Sequence, residues 1–128
     1  MFLGLRTVIY PAPDLAALRD WYAATLDQAP YFDEPFYVGF SVAGYELALD
    51  PHADPASGPV TYWGVADADA ELKSLLDAGA TSNGDVRDVG DSIRVATVKD
   101  PAGNIVGIIQ NPHFHLDEAS PPASGPGR

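Results

Sequence analysis

The chain has 128 residues, of which 18 are acidic and 7 are basic, giving a net charge of −11. Such a surface repels nucleic-acid phosphates and anionic membranes and would attract a cationic ligand. The absence of cysteine excludes disulfides, zinc–thiolate sites and thiol nucleophiles. Apolar residues occur only in short runs, and residues 1–10 lack the pattern of a secretory signal. We therefore expect an acidic cytoplasmic protein without nucleic-acid or membrane partners.

A strand and a helix are predicted at the start of the chain. The stretch 5–10 is typical of a strand that Pro11 ends, and Asp14 lies where it would cap a helix. Apolar side chains then recur at helical spacing, at Leu15, Leu18, Tyr22 and Leu26, with Trp21 beside them. A loop over 31–35 is predicted to follow, and it contains Tyr31 and Phe32.

The next stretch predicts a hairpin with two chemically different faces. Residues 36–42 and 45–49 are strand candidates joined by a two-residue turn at Ala43-Gly44. Because side chains alternate along a strand, one face is apolar and is expected to pack on the helix: Phe36, Val38, Phe40, Leu47 and Leu49. The opposite face is small and polar, with one aromatic: Tyr37, Gly39, Ser41, Glu46 and Ala48. A face so poor in large apolar groups is either solvated or lines a cavity.

The same plan restarts after a linker at 51–59. Residues 60–65 indicate a strand, Asp67 an N-cap, and three leucines at helical spacing a second helix. Residues 93–98 and 105–109 predict a closing hairpin.

The domain boundaries follow from this repeat. We predict one domain over 1–116, made of modules at about 4–50 and 59–112. Residues 117–128 have too little apolar surface to fold and are predicted to be a disordered tail.

The plan of strand, helix and strands, present twice, resembles the vicinal oxygen chelate superfamily, also called the glyoxalase/bleomycin-resistance/dioxygenase fold. The resemblance spans about residues 4–112 and rests on two motifs, Asp14-Leu15 with Trp21-Tyr22, and Asp100-Pro101-Ala102-Gly103-Asn104. It implies an α+β fold in which two βαβββ modules form a U-shaped mixed sheet around a cavity. Members of this length usually pair, so it also implies a homodimer.

The resemblance further implies where a metal ion would be held, on the first and last strands of each module. Those positions here are Thr7, Glu46, Val60 and Gly107. A catalytic divalent site needs about three protein ligands, and only Glu46 can supply one. We therefore expect no metal and no other cofactor. His52, His113 and His115 could bind metal, but they have no fixed spacing to a third ligand, and this alternative stays open.

Glu46 is the strongest single candidate for chemistry or for binding a cation. Ser41 should lie opposite it across the hairpin, and a carboxylate enclosed by aromatic rings could act as a base. The alternative is a partly solvated Glu46 that is bonded to Ser41. The predicted ligand-binding set is completed by side chains expected around the cavity: Tyr31, Phe32, Tyr37, Tyr62, Thr97 and Gly107.

Three classes of function remain open from the sequence. A metal-independent small-molecule-binding protein explains the missing ligands, the charge and the aromatic side chains, and it resembles antibiotic-sequestering members of this fold. Its ligand would be cationic or planar and aromatic. A metal-dependent glyoxalase, isomerase or dioxygenase would need ligands that the sequence lacks. A metal-free enzyme using Glu46 as a base lies between them. We favour the binding protein, which leaves catalysis uncertain.

Overall fold

The computed structural model describes residues 1–116, which form two modules of similar plan. The first module contains β1 (Gly4–Pro11), α1 (Leu15–Leu26), β2 (Phe32–Glu34), β3 (Tyr37–Val42) and β4 (Tyr45–Asp50). The second contains β5 (Val60–Gly64), α2 (Ala68–Asp77), β6 (Thr81–Ser82), β7 (Arg87–Asp88), β8 (Arg94–Lys99) and β9 (Ile105–Gln110). A short 3-10 turn, Pro55–Ser57, lies in the linker between them. The predicted disordered tail, 117–128, lies outside the described residues.

The nine strands of these residues form one mixed sheet. Their order is β2-β3-β4-β1-β5-β9-β8-β6, and β7 pairs with β8. In each module the first strand runs parallel to the last, and β1 and β5 pair antiparallel at the centre of the sheet. This topology confirms the predicted α+β fold of two βαβββ modules in a U-shaped sheet. A single chain supplies both halves.

The core of the first module lies between α1 and the β3–β4 hairpin. Asp14 caps α1 by accepting a hydrogen bond from the amide of Ala17 over 3.2 Å. The hairpin and the residue that follows β1 contribute fully buried side chains, Ala12, Val38, Phe40 and Leu49. The apolar stripe of α1 packs on them, with Leu15, Leu18, Tyr22 and Leu26. The predicted helix-facing surface of the hairpin is therefore confirmed for the residues within the two strands.

Phe36, predicted to pack on the helix, and Trp21, which lies beside the predicted apolar stripe, are both exposed. Phe36 is 56% exposed and Trp21 is 58% exposed. The predicted loop at 31–35 contains strand β2, which pairs with β3, so Phe36 lies in the turn between them. Its ring contacts that of Phe32, with 5.9 Å between ring centroids, instead of α1.

The second module repeats this packing with smaller side chains. Asp67 caps α2 by accepting from the amide of Ala70 over 3.1 Å. The buried residues are Val65, Ala68, Ala96 and Ile108, and Leu72 and Leu75 of α2 pack on them. The two described helices have 12 and 10 residues, short of the roughly 20 apolar residues that a membrane-spanning helix needs.

The motif before the last strand is a turn held by one carboxylate. Asp100 accepts hydrogen bonds of 2.9 Å from the amides of Ala102 and Asn104 and from the Asn104 side chain. The bond from the Asn104 side chain is the main reason that the pKa of Asp100 is lowered. The motif therefore orients β8 against β9.

The hairpin turn at Ala43-Gly44 generates a stability prediction. Val42 pairs with Tyr45, and both turn residues have positive φ, 54° at Ala43 and 92° at Gly44. Alanine is strained in this region because of its Cβ, whereas asparagine tolerates it. We expect Ala43→Asn to raise the free energy of unfolding by up to about 1 kcal/mol, measured by urea denaturation. Ala43→Val is the matched control and should lower it; equal destabilisation by both substitutions would contradict the assigned turn.

Candidate functional site

One row of residues crosses the inner face of the sheet from module to module. The strand register places six residues side by side in this row: Ser41, Glu46, Thr7, Tyr62, Gly107 and Thr97. Side chains at directly paired positions lie on the same face of a sheet. Predicted site residues that are far apart in the sequence therefore lie on one surface.

The register also corrects one predicted position. Thr7 pairs with Glu46, and Tyr62 pairs with Gly107 in the same parallel arrangement. Tyr62 is therefore the counterpart of Thr7 in the second module, and the predicted position, Val60, is wrong. The reason is that β1 extends four residues beyond Thr7, whereas β5 extends only two beyond Tyr62. Thr7 lies seven residues before the capping Asp14, but the same spacing before Asp67 leads to Val60 and not to Tyr62.

The Glu46 carboxylate is held by three hydroxyl groups. Tyr37 donates to Oε1 over 2.8 Å and Thr7 donates to the same oxygen over 3.1 Å. Tyr31 donates to Oε2. Ser41 lies opposite Glu46 as predicted, but among residues 1–116 its hydroxyl is not a partner of the carboxylate. The longer Tyr31 side chain reaches Oε2 instead.

The tyrosine hydroxyls remain protonated in this environment. Burial raises the pKa of Tyr31 and of Tyr37, and Glu46 raises both further through its charge and its hydrogen bonds. The effect on the pKa is larger at Tyr37, which is more buried. Burial also raises the pKa of Tyr62, although the positive charge of Arg87 opposes that rise. Glu46 therefore meets hydrogen-bond donors and no anionic phenolate.

Three inward-facing glycines leave space for side chains of neighbouring strands. A Cβ at Gly39 would lie 2.7 Å from Oε2 of Glu46, and a Cβ at Gly107 would lie 2.5 Å from the Tyr62 ring. A Cβ at Gly64 would collide with the guanidinium group of Arg6. The resemblance would place a metal ligand at position 107. Gly107 has no side chain there, and the Tyr62 ring lies against its backbone instead.

Two cavities flank Glu46 and share it and Thr7 as lining residues. The first, which we name the apolar cavity, has a volume of about 480 Å³. Its walls are mostly aromatic and aliphatic: Ile9, Phe32, Phe36, Tyr37, Tyr62, Val89, Ile93, Val95 and Ile109. Asp50 and Arg87 add two charges. The predicted residues Phe32, Tyr37 and Tyr62 therefore meet in one cavity.

The second, which we name the polar cavity, has a volume of about 380 Å³. It is lined by Arg6, Tyr31, Ser41, Gly44, Tyr45, His113, Phe114 and His115 together with Thr7 and Glu46. The segment 111–116 reaches this cavity from β9. Its Phe114 ring lies 3.9 Å from the Arg6 guanidinium carbon, and His113 Nε2 lies 2.9 Å from the backbone oxygen of Asp91.

Two predicted residues, Gly107 and Thr97, line neither cavity. Thr97 accepts a hydrogen bond from the Asn83 side chain over 2.8 Å and borders a smaller cavity beside Tyr62.

Sequence reasoning missed Arg6, Arg87 and Phe114. No local signal identifies them, because Arg6 owes its direction to an irregularity in strand pairing and Phe114 lies beyond the last predicted strand.

The residues around Glu46 do not fit a divalent metal site. Within residues 1–116, no three His, Asp or Glu side chains gather where they could hold an ion. Both Glu46 oxygens already accept hydrogen bonds from hydroxyl groups, which a metal ion would have to displace to coordinate the carboxylate directly. Of the histidines, His113 and His115 line the polar cavity, whereas His52 bonds through its backbone to Asp50 in the linker. No metal-dependent step follows from this set of residues.

Comparison with known proteins reveals similarity in structure. No family model matches the sequence, and no curated protein matches it. A variant of Streptomyces coelicolor methylmalonyl-CoA epimerase in complex with 2-nitronate-propionyl-CoA superposes with a TM-score of 0.73 and 17% identity, over 88% of this chain and 99% of that chain. The methylmalonyl-CoA epimerase of Mycobacterium tuberculosis gives 0.69 and 19%, over 86% and 89%.

A glyoxalase/bleomycin resistance protein/dioxygenase superfamily member from Vibrio splendidus gives a TM-score of 0.64 and 16% identity, over 83% of this chain and 97% of that chain. At identities this low, the similarity establishes a common fold and leaves the activity to be argued from the site. It confirms the resemblance drawn from the sequence motifs. The chain has the fold of the vicinal oxygen chelate superfamily.

Proposed function

We propose that this protein binds a small cationic molecule with a planar aromatic part and needs no metal ion to do so. The observation that supports the proposal is the position of Glu46, whose carboxylate is fixed at the boundary of a cavity with aromatic walls. A binding site of this kind supplies one charge for orientation and apolar surface for affinity.

The hydroxyl groups around Glu46 suit it to this role. They satisfy its oxygens and fix its direction without neutralising its charge, since Tyr31, Tyr37 and Thr7 are all neutral donors. A half-buried charge acts more strongly on a ligand than one in bulk water, because the surrounding dielectric constant is lower. A cation beside Glu46 would also lie near the rings of Phe32 and Tyr37, which attract positive charge to their faces.

The ligand could be an antibiotic that the protein sequesters. A net charge of −11 would raise the local concentration of a cationic compound around the chain. A volume of about 480 Å³ is within the usual range of small-molecule sites. The predicted cytoplasmic location belongs to the same proposal.

Catalysis by Glu46 is a weaker alternative. A general base must present a free lone pair to a proton of the substrate. A carboxylate has about four lone-pair sites. Three hydroxyl donors already occupy most of those of Glu46, which hinders proton abstraction but leaves its negative charge to attract a cation. The metal-dependent alternative lacks the ligands that it needs. The arrangement therefore favours binding over both forms of catalysis.

The charge of Glu46 is tested with tryptamine, a cationic indole, and with ethylindole, its neutral analogue. We expect Glu46→Gln to weaken tryptamine binding roughly ten- to hundredfold, because it removes a charge-assisted contact, and to change ethylindole binding little. Isothermal titration calorimetry measures both. A panel of cationic glycopeptides, quinones and polycyclic antibiotics then searches for the natural ligand.

The matched control for this experiment is Asp77→Asn, which removes one negative charge from the exposed end of α2. It should leave tryptamine binding nearly unchanged. An equal loss in both variants would show that long-range charge, and not the site, attracts the cation. No binding of tryptamine or of any panel member below about 100 µM, an affinity of about 5.5 kcal/mol, would reject the proposed function.

The raised pKa values of Tyr31 and Tyr37 predict how stability changes with pH. Their folded-state pKa values lie above the unfolded value of about 10, so the contribution is complete below that pH. It is lost as the pH rises through about 10 toward the folded-state values. We expect the urea midpoint of the unmodified protein to fall more steeply between about pH 9 and about pH 11 than that of Tyr37→Phe. All other ionisable side chains are the same in the two proteins, so parallel curves would contradict the assignment.

A homodimer remains our prediction for the assembly. The sheet ends in short strands, β2 on one side and β6 with β7 on the other, and open strand edges are usually covered. Phe36 and Val89 are also more than half exposed, and exposed apolar groups of this size often lie at interfaces. Light scattering on the purified full-length chain should give twice the monomer mass at micromolar concentration. A monomer alone would reject the prediction.

A further inference from the structure

Arg6 is turned onto the inner face of the sheet by a β-bulge. The pairing of β1 with β5 shifts between Leu5 and Thr7, so Arg6 is the extra residue of the bulge. Its side chain lines the polar cavity together with Thr7. Gly64 on the neighbouring strand leaves the space that the guanidinium group occupies. The bulge and the lack of a side chain at Gly64 together position the Arg6 guanidinium group.

The guanidinium group has no acidic partner in the part of the chain that the structure describes. Ion pairs within residues 1–116 involve other cations. Arg6 donates one long hydrogen bond, 3.4 Å, to the carbonyl of Leu5. An arginine has five N–H donors, so most of them remain available. Within residues 1–116, the structure gives this half-buried cation no carboxylate partner, which leaves it available to a ligand.

The surroundings of Arg6 suit a carboxylate ligand. The Phe114 ring covers one face of the guanidinium group at 3.9 Å and so fixes its plane. A guanidinium group in a fixed plane can donate two parallel hydrogen bonds to one carboxylate. The hydroxyls of Ser41 and Tyr45 and the imidazole of His115 line the same cavity and can add donors.

Glu46 lines this cavity as well, and its charge would repel a simple anion. It lies close to Arg6 along the sheet, since Thr7 is the next residue in the chain and donates to Glu46 over 3.1 Å. A ligand that carries an ammonium group next to its carboxylate would satisfy both charges at once. Because Glu46 and Thr7 also line the apolar cavity, the rest of such a ligand can lie against its aromatic walls.

We propose that the polar cavity binds the zwitterionic head of an aromatic amino-acid-like ligand, with its carboxylate on Arg6 and its ammonium group toward Glu46. This inference rests on the proposed function and narrows it from cationic aromatic compounds to zwitterionic ones. It assigns the recognition of the ligand's carboxylate to Arg6 and to the segment 111–116.

Three indoles with matched rings test the inference on the unmodified protein. Tryptamine carries the ammonium group, indolepropionate the carboxylate, and tryptophan both. Calorimetry at neutral pH should show that tryptophan binds roughly ten- to hundredfold more tightly than tryptamine, and that indolepropionate binds most weakly. Binding of tryptamine at least as tight as that of tryptophan would overturn the inference and leave the proposed function standing. No binding of any of the three would overturn both.

Substitutions at Arg6 locate the effect. Arg6→Gln should remove the advantage of tryptophan over tryptamine by weakening tryptophan binding, and it should not weaken tryptamine binding, because it removes a positive charge from the cavity. Arg6→Lys keeps the charge but loses the planar pair of donors, so it should retain part of the advantage. The matched control is Arg94→Gln, at a residue bonded to Asp69 of α2 and outside both cavities. Equal losses for tryptophan and tryptamine in Arg6→Gln, with a folded protein by circular dichroism, would contradict the assignment.

Discussion

The antiparallel pairing of β1 with β5 is the contact on which the inner face depends. Each module supplies half of the site, with Thr7 and Glu46 from the first and Tyr62 and Gly107 from the second. The pairing of Thr7 with Tyr62 joins the halves. A slip of one residue in this pairing would turn every side chain of the slipped strand to the opposite face. The same pairing contains the bulge at Arg6, so one strand contact fixes both the continuity of the row and the position of its cation.

The inner face holds two opposite charges without pairing them to each other. Glu46 and Arg6 line one cavity, yet no nitrogen of Arg6 comes within 4.0 Å of a Glu46 oxygen. Neutral hydroxyls satisfy Glu46, and an aromatic ring covers Arg6. A direct ion pair would have neutralised both charges. Held apart in this way, they remain available to a ligand with complementary charges.

Several features were predictable because they depend on local chemistry. Asp14 and Asp67 cap the two helices, and Ala43-Gly44 forms the predicted turn, because capping and turn geometry are decided within a few residues. The errors have a different origin. Periodicity predicts the face on which a residue lies but not whether another element covers that face. The exposure of Trp21 and Phe36 could therefore not be predicted.

Side-chain type and spacing along single segments were enough to predict the repeat, the two helix caps and the chemically divided hairpin, and to select Glu46 as the candidate site residue. The surroundings of Glu46, in contrast, follow from the fold. Its partners, Thr7, Tyr31 and Tyr37, come from three different segments. Because β1 and β5 extend for different lengths beyond Thr7 and Tyr62, the counterpart of Thr7 in the second module is Tyr62 and not Val60. Strand register and bulges arise from pairing between distant segments, so no window of the sequence contains them.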